Sequence, residues 1–214
     1  MMILLILVIL ALQCTIVYAV PLALGGYDVV SCASKEALLK GKCDVMGLQS
    51  MSTQYTSVDS AGNPIFTSEF RFANQENMIA FENAPFTFAP RLGGFCGNYF
   101  SNMNETKVWS ASALGPPVDL IHSWRAVKSS EGLPPSIYLF GGEDGAEEFM
   151  KGLPESQIRA EAAWKSFFGA HGTVAPYALS AGPFNSACFT AGDPNATAPP
   201  RDCAEEPISV PALK

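Results

Sequence analysis

Two adjacent glycines, Gly93 and Gly94, most constrain how this chain can fold. They stand between Pro90 and the pair Phe95-Cys96. Glycine permits backbone angles and close approaches that a side chain forbids. The stretch 88–97 therefore predicts a tight turn that places Cys96 beside the core. A thiol held in this way can belong to a metal or redox site, or it can be half of a disulfide.

Residues 1–19 form an apolar leader. The uncharged run over residues 1–12 is too short for a stable membrane span, and small residues end the leader at Ala19. This pattern is typical of a secretory signal peptide cleaved after Ala19, although no positive charge stands near Met1. An uncleaved anchor is the alternative. We expect a secreted protein, or one in another oxidising compartment, with no membrane contact after cleavage.

The charge balance narrows the range of partners. The chain carries a net charge of −7 without a basic cluster, which argues against binding to nucleic acid or to anionic membranes. Its 14 Phe and 6 Tyr are typical of a globular, core-forming protein. This acidic balance would suit cations, although the same charge also serves ordinary solubility.

The cysteines predict disulfides and one free thiol. Cys14 leaves with the leader, so an odd number remains in an oxidising compartment, where most cysteines pair. Cys188 and Cys203 bracket a Gly/Pro-rich loop and form the first expected pair, and Cys32 and Cys43 form the second. Cys96 is then left over. No CxxC and no zinc-type Cys/His spacing occurs in the sequence.

The first half of the chain alternates strand and helix patterns. Residues 25–31 predict a turn into a short strand, and residues 34–40 a short helix. Residues 54–58 predict a strand, followed by a turn over 59–64. A second strand places alternate residues on one face toward the core: Phe66, Ser68, Phe70 and Phe72. Asn74 then caps a helix, with Met78 and Phe81 pointing inward and Pro85 ending it.

The second half predicts one more strand and two helices. Residues 137–140 have a strand pattern, and Asp144 with Glu147 forms a capping box for a helix that Gly152 stops. A further helix opens at Leu153-Pro154 and closes at Gly169. One apolar stripe on it is expected to dock on the sheet: Ala160, Trp164, Phe167 and Phe168. We find no internal repeat in the sequence.

Together these motifs resemble the YHS domain, in the form found in secreted proteins. The resemblance spans about residues 25–168 and is carried by the order of these pieces: Gly26-Tyr27-Asp28-Val29-Val30-Ser31, Tyr55, Phe70-Arg71-Phe72-Ala73, Glu76-Asn77 with Phe81, Pro90, Gly93-Gly94-Phe95-Cys96, Val118-Asp119 with Trp124, Ser136-Ile137-Tyr138-Leu139-Phe140 and Ala162-Ala163-Trp164. It implies an α+β fold, with a small antiparallel sheet and packed helices.

The resemblance also implies an association with metal ions. The cysteines of this chain, however, stand at other positions than those of the best-known members. The best-known members place cysteines after the first strand and in a later Cys-rich segment. In this chain, Ala73 and Asn77 stand where those members have the cysteines of the later segment. Cys32 stands one residue away from the position of their first cysteine. A cage of several thiolates is therefore not expected, because soft metals need several soft ligands together. Cys96 matches the cysteine of the secreted subgroup.

The remaining candidate ligands are few. His122 lies among apolar neighbours, where a hydrogen-bonded structural histidine is the alternative, and His171 suits a helix C-terminal cap. Asp28 is expected either to cap a turn or to bind. If Cys96, His122 and Asp28 converge, they supply mixed sulfur, nitrogen and oxygen ligands suited to copper or zinc.

Three functions therefore stay open. The first is a non-enzymatic binding domain that holds a transition metal through Cys96. The second is a thiol-dependent enzyme in which His122 serves as base to Cys96, although the flanking residues carry no established nucleophile signature. The third is a disulfide-stapled extracellular module that recognises another protein.

The last part of the chain differs in composition. Residues 169–214 are rich in Pro, Gly and Ala and predict an extended tail, tied by Cys188 and Cys203. Asn104 and Asn195 begin glycosylation sequons in loop contexts. The predicted organisation is a signal peptide over 1–19, a YHS-like domain over 25–168 and a tail over 169–214.

Overall fold

Two antiparallel sheets of two strands each and seven α-helices build the part of the chain that the structure describes. The structure is a computed structural model and describes residues 20–41, 43–58, 61–103, 123–128, 135–168, 182 and 184–186. This architecture confirms the predicted α+β class. No helix in the described part is long and apolar enough to cross a membrane. The leader and most of the predicted tail lie outside the described ranges.

The first sheet pairs β1 (Leu48–Val58) with β2 (Pro64–Phe72). Ser68, Phe70 and Phe72 are buried on one face of β2, as the alternation predicts. Strand β1 begins earlier than predicted, because its pairing with β2 continues through an irregularity between Leu48 and Ser52. One apolar face of the hairpin is thus presented to the helices.

Helix α3 (Gln75–Asn83) covers that face. It begins where predicted, since the side chain of Asn74 accepts a hydrogen bond from the N–H of Asn77 at 2.9 Å. Phe81 packs on Phe70 with ring centroids 4.6 Å apart. Pro85 does more than end α3, because it opens a further short helix, α4 (Pro85–Phe88).

The short strand predicted within residues 25–31 is wrong. Residues Val29–Cys32 form the short helix α1, because the side chain of Asp28 accepts hydrogen bonds from two N–H groups of its first turn. This cap outweighs the strand preference of two adjacent valines. The next helix, α2 (Lys35–Lys40), begins where predicted, with Ser34 as its cap.

The second sheet pairs β3 (Trp124–Val127) with β4 (Ser136–Leu139). The sequence pattern predicts β4 but not β3. Strand β3 is fastened to the first half of the chain, because the N–H of Trp124 donates to the carbonyl of Gly41 at 2.9 Å. The sheet therefore joins the two halves of the domain.

Two helices follow the second sheet. Helix α6 (Glu143–Lys151) begins before the predicted cap: its N-cap is Gly142, with no side-chain cap hydrogen bond, so the capping box from Asp144 is wrong. Helix α7 (Glu155–Phe168) buries Ala160 and Trp164, which confirms that part of the apolar stripe. The side chains of Phe167 and Phe168 lie outside the described part.

A short motif occurs twice, which corrects the statement that the sequence has no repeat. The first Leu-Gly-Gly turn (Ala23–Gly26) and the second (Arg91–Gly94) each contain three consecutive residues with positive φ. An aromatic residue follows each turn, and the next residue is the N-cap of a helix: α1 after the first turn and α5 (Gly97–Ser101) after the second.

The two turns meet through a segment from near the C-terminus. The N–H of Leu24 donates to the carbonyl of Asn185 at 2.6 Å, and the N–H of Asn185 donates to the carbonyl of Gly93 at 2.8 Å. Gly94 lies against the side chain of Leu24. Asn185 is fully buried, so these bonds form inside the core.

A charged cluster fastens the second turn to helix α7. Both oxygens of the Glu161 carboxylate accept from the Arg91 guanidinium at 2.9 Å. The same carboxylate accepts from the Tyr138 hydroxyl at 2.5 Å. Burial, and after it the charge of Glu161, raise the pKa of Tyr138 above its usual range. The cluster therefore holds a neutral tyrosine between an ion pair and the core.

The contact of the two turns can be tested at Gly94. A Cβ at this position would overlap the Cδ2 of buried Leu24, and the φ of +78° disfavours any side chain. We expect Gly94→Ala to lower the free energy of unfolding by about 2–4 kcal/mol in urea titrations, from backbone strain plus overpacking.

Gly62→Ala is the matched control for this variant. Gly62 has a φ of +84° but open space around a Cβ, so only strain of about 1 kcal/mol is expected there. Equal losses in the two variants would show that the packing of the turns contributes nothing.

Candidate functional site

Cys96 is the N-cap residue of α5, and its thiol makes no capping hydrogen bond. Its Sγ instead accepts from the backbone N–H of Gly141, with a nitrogen–sulfur distance of 3.4 Å. Cys96 also forms a parallel β-bridge with Leu139 at the end of β4. The second turn and the end of β4 therefore position the thiol together.

A cavity of about 420 Å³ opens beside this thiol. Its wall consists of Cys96 and residues 141–145, which lead from β4 into α6. Cys96 keeps 9 % of its surface exposed, and a Cβ on Gly142 would meet only open space. The sulfur thus borders an opening, whereas the neighbouring Phe95 is sealed in the core.

The cavity has a mixed electrostatic character. It lies at the start of α6, where backbone N–H groups carry partial positive charge. Two exposed carboxylates, those of Glu143 and Asp144, stand in the first turn of that helix. Arg125 of β3 pairs with Glu143, and no described cation pairs with Asp144. The arrangement places the Cys96 sulfur and the Asp144 carboxylate, which no described cation pairs, on the wall of the same opening.

Asp28 occupies a closed position. Its carboxylate is fully buried and accepts five hydrogen bonds, whose donors are the N–H groups of Val30, Ser31 and Ala73, the hydroxyl of Ser31 and the side-chain amide of Asn77. The shortest, from Asn77, is 2.6 Å long. These bonds join α1 to the start of α3, so the carboxylate serves as a structural cap.

Asp28 and Cys96 are equivalent positions of the repeated motif. Each is the N-cap that follows a Leu-Gly-Gly turn and one aromatic residue. At the first position all the hydrogen-bonding capacity of the carboxylate is used inside the fold. At the second, the thiol has one backbone donor and an opening beside it.

The structure brings together only part of the predicted ligand set. Across the described ranges, no three His, Cys, Asp or Glu residues group closely enough to hold a metal ion. Asp28 and Cys96 share no hydrogen-bonding partner there. The two histidines and both glycosylation sequons lie outside the described residues, namely His122, His171, Asn104 and Asn195.

The cysteine prediction is confirmed where the structure describes it. Cys32 and Cys43 are bonded, with Cα atoms 5.0 Å apart. Cys96 has no disulfide partner among the described residues. Cys188 and Cys203 lie outside those residues, so their pairing stays a prediction.

The sequence did not predict that residues 141–145 line the cavity beside Cys96. Residues 141–145 are identified by the sequence only as a glycine turn and the beginning of a helix. They reach Cys96 because β4 ends beside the second turn, at a separation of 45 residues. The nearest signal was the pair Gly141-Gly142, which allows a close approach of backbone to sulfur.

The structural role of Asp28 can be tested with Asp28→Asn. The new side-chain NH2 group would face N–H donors whose hydrogen bonds the carboxylate now accepts. We therefore expect the free energy of unfolding to fall by about 2–3 kcal/mol. The measurement is urea unfolding in the presence of a chelator, which removes any contribution from metal binding. Glu82→Gln, at an exposed carboxylate of α3, is the control and should change stability by less than about 0.5 kcal/mol. Unchanged stability of Asp28→Asn would refute the structural assignment.

We also compared the chain with known proteins. No family model, no curated protein and no solved structure matches it.

Proposed function

We propose that this chain is a secreted binding domain whose ligand contacts Cys96 in the cavity beside α6. We further propose that the ligand is a transition-metal ion, copper or zinc. One observation carries the proposal: Cys96 is unbridged among the described residues and borders an opening, while Cys32 and Cys43 are joined. A thiolate is a soft ligand that suits copper and zinc, whereas a cysteine in a disulfide has no such capacity.

Chain connectivity supports His122 as a second ligand. The N–H of Phe140 donates to the carbonyl of Ser123 at 3.0 Å, and the next residue, Gly141, donates to the sulfur of Cys96. His122 directly precedes Ser123 in the chain. A pair of thiolate and imidazole ligands is common in copper and zinc sites.

Asp144 is the oxygen donor that the cavity itself offers. Its carboxylate is exposed and stands in the same wall as Cys96. We leave Asp28 out of the proposed ligand set, because its carboxylate already accepts five hydrogen bonds inside the fold. The likeness to the YHS family supports the same function, since metal association is common in that family.

Metal analysis tests the proposal directly. We expect natively purified protein to contain copper or zinc near one equivalent, measured by mass spectrometry of the elements. Cys96→Ser should weaken binding at least about 100-fold in a chelator competition, because a primary ligand matters more than the outer-shell partners that cost 10–100-fold. His122→Gln should also weaken binding.

Gly142→Ala is the matched control in the same cavity. Its φ of 168° suits any residue and its Cβ would meet open space, so metal binding should be retained. Full metal occupancy in Cys96→Ser would exclude the thiol as ligand. Peptide mapping that found Cys96 bonded to Cys188 or Cys203 would remove the basis of the proposal.

A thiol-dependent enzyme is the second candidate, and one contact favours it. The N–H of Gly141, two residues before α6 begins, donates to the sulfur of Cys96 and holds the thiol beside the cavity. In this case His122 would be the base, and iodoacetamide should alkylate Cys96 at pH 7 about 10-fold faster than free cysteine, with His122→Gln abolishing the excess. Slow alkylation together with absent metal would instead favour a disulfide-stapled module that recognises an extracellular protein.

A further inference from the structure

Within the described part of the chain, strand β1 has a free edge. It pairs with β2 along one side, and no hydrogen bond from a described residue reaches the backbone on its other side. A strand edge presents a row of N–H and C=O groups that can pair with another strand. Strand β1 is 11 residues long, which is more than the usual 5–6.

The hydrogen bonding of β2 identifies which groups point outward. The N–H of Glu69 donates to the carbonyl of Pro21 at 2.9 Å, so the backbone of Glu69 faces away from β1. Gln54 is paired with Glu69. In an antiparallel ladder such a pair is non-hydrogen-bonded, and the backbone of Gln54 therefore also points away from its partner, toward the free edge.

The pattern alternates along the strand. Ser52 and Thr56 stand two places on either side of Gln54, so their N–H and C=O groups also point outward. The close contact of the Thr56 and Thr67 hydroxyls, at 2.9 Å, agrees with this register, because side chains approach most closely in non-hydrogen-bonded pairs.

Natural proteins protect free edges with charged residues, proline, bulges or short strands. Register shifts flank the stretch Ser52–Ser57 of β1 on both sides, but within that stretch the edge carries no bulge, charge or proline. Residues 45–58 contain no Asp, Glu, Lys, Arg, His or Pro, although the chain as a whole has a net charge of −7. Two copies of this protein repel each other over much of their surface, and this uncharged edge is a place where they can approach without like charges meeting.

We propose that β1 pairs with β1 of a second copy, antiparallel about a two-fold axis at Gln54. The outward groups are spaced symmetrically about that residue: Ser52 meets Thr56 of the partner subunit, Gln54 meets Gln54 of the partner subunit, and Thr56 meets Ser52 of the partner subunit. Each such pair exchanges two backbone hydrogen bonds, which gives about six for the interface. The product is a four-stranded antiparallel sheet with the isologous symmetry of most homodimers.

Sedimentation velocity of the mature protein over a concentration series tests this dimer. We expect a concentration-dependent dimer that Gln54→Pro weakens at least about 10-fold, because proline removes an outward N–H and places its ring on the edge. Proline is tolerated on the free side of an edge strand, so the fold should remain, which far-UV circular dichroism checks. Gln54→Thr, which keeps the N–H and suits a strand, is the matched control and should dimerise normally.

The two-fold axis makes a sharper test possible. Residue 54 meets itself there, so Gln54→Lys alone and Gln54→Glu alone should each be monomeric through like-charge repulsion, while a mixture of the two should form a heterodimer. A protein that stays monomeric at several hundred micromolar overturns the proposal. A dimer that persists unchanged in Gln54→Pro, or a charge mixture that does not recover association, overturns the assigned edge. Metal loss in Cys96→Ser should leave dimerisation unchanged, so this proposal stands or falls independently of the metal site.

Discussion

The fold depends on the contact between two left-handed turns. Leu24 and Leu92 both adopt a positive φ, a conformation that costs a residue with a Cβ about 1–2 kcal/mol. Both leucines are buried, so the energy of packing their side chains in the core offsets that strain. The backbone of Asn185 then bonds to both turns and fixes their relative position.

Each Leu-Gly-Gly turn is followed by the N-cap residue of a short helix, Asp28 in one case and Cys96 in the other. These two side chains have different surroundings. Asp28 lies where the segment after β2 supplies donors, so its carboxylate is satisfied within the fold. Cys96 lies where the chain between β4 and α6 turns away through Gly141 and Gly142, so an opening remains. The same local geometry therefore yields a structural residue in one half and a candidate binding residue in the other.

Patterns within one element predicted the fold well. Alternate burial at Ser68, Phe70 and Phe72, the short helix near residues 34–40 and the cap at Asn74 depend on neighbours a few residues away, and the structure confirms them. Val29 and Val30 were misassigned because the cap from Asp28 outweighs local strand preference. The repeated Leu-Gly-Gly motif was visible in the sequence, but only the matching φ angles show that both copies form the same turn.

The candidate site could be predicted from the sequence only where the prediction needs no contact between residues far apart in the chain. Counting cysteines predicted that Cys96 is left over, and it has no disulfide partner among the described residues; that argument needs composition and compartment rather than geometry. The contact of its sulfur with Gly141 arises from the bridge between Cys96 and Leu139, and no local pattern encodes a bridge across so many residues. The closed hydrogen-bonding shell of Asp28 likewise depends on Ala73 and Asn77, far along the chain.

The bond from Glu69 to Pro21 has a consequence for the size of any assembly. It occupies part of the far side of the first sheet with Pro21, a residue that has no N–H to offer a further strand. Among the described residues, the far side of that sheet is thereby closed at Glu69, and the side along β1 stays open. Joining two such sheets uses up both open sides, so the result is a finite pair and not the first step of an endless fibre.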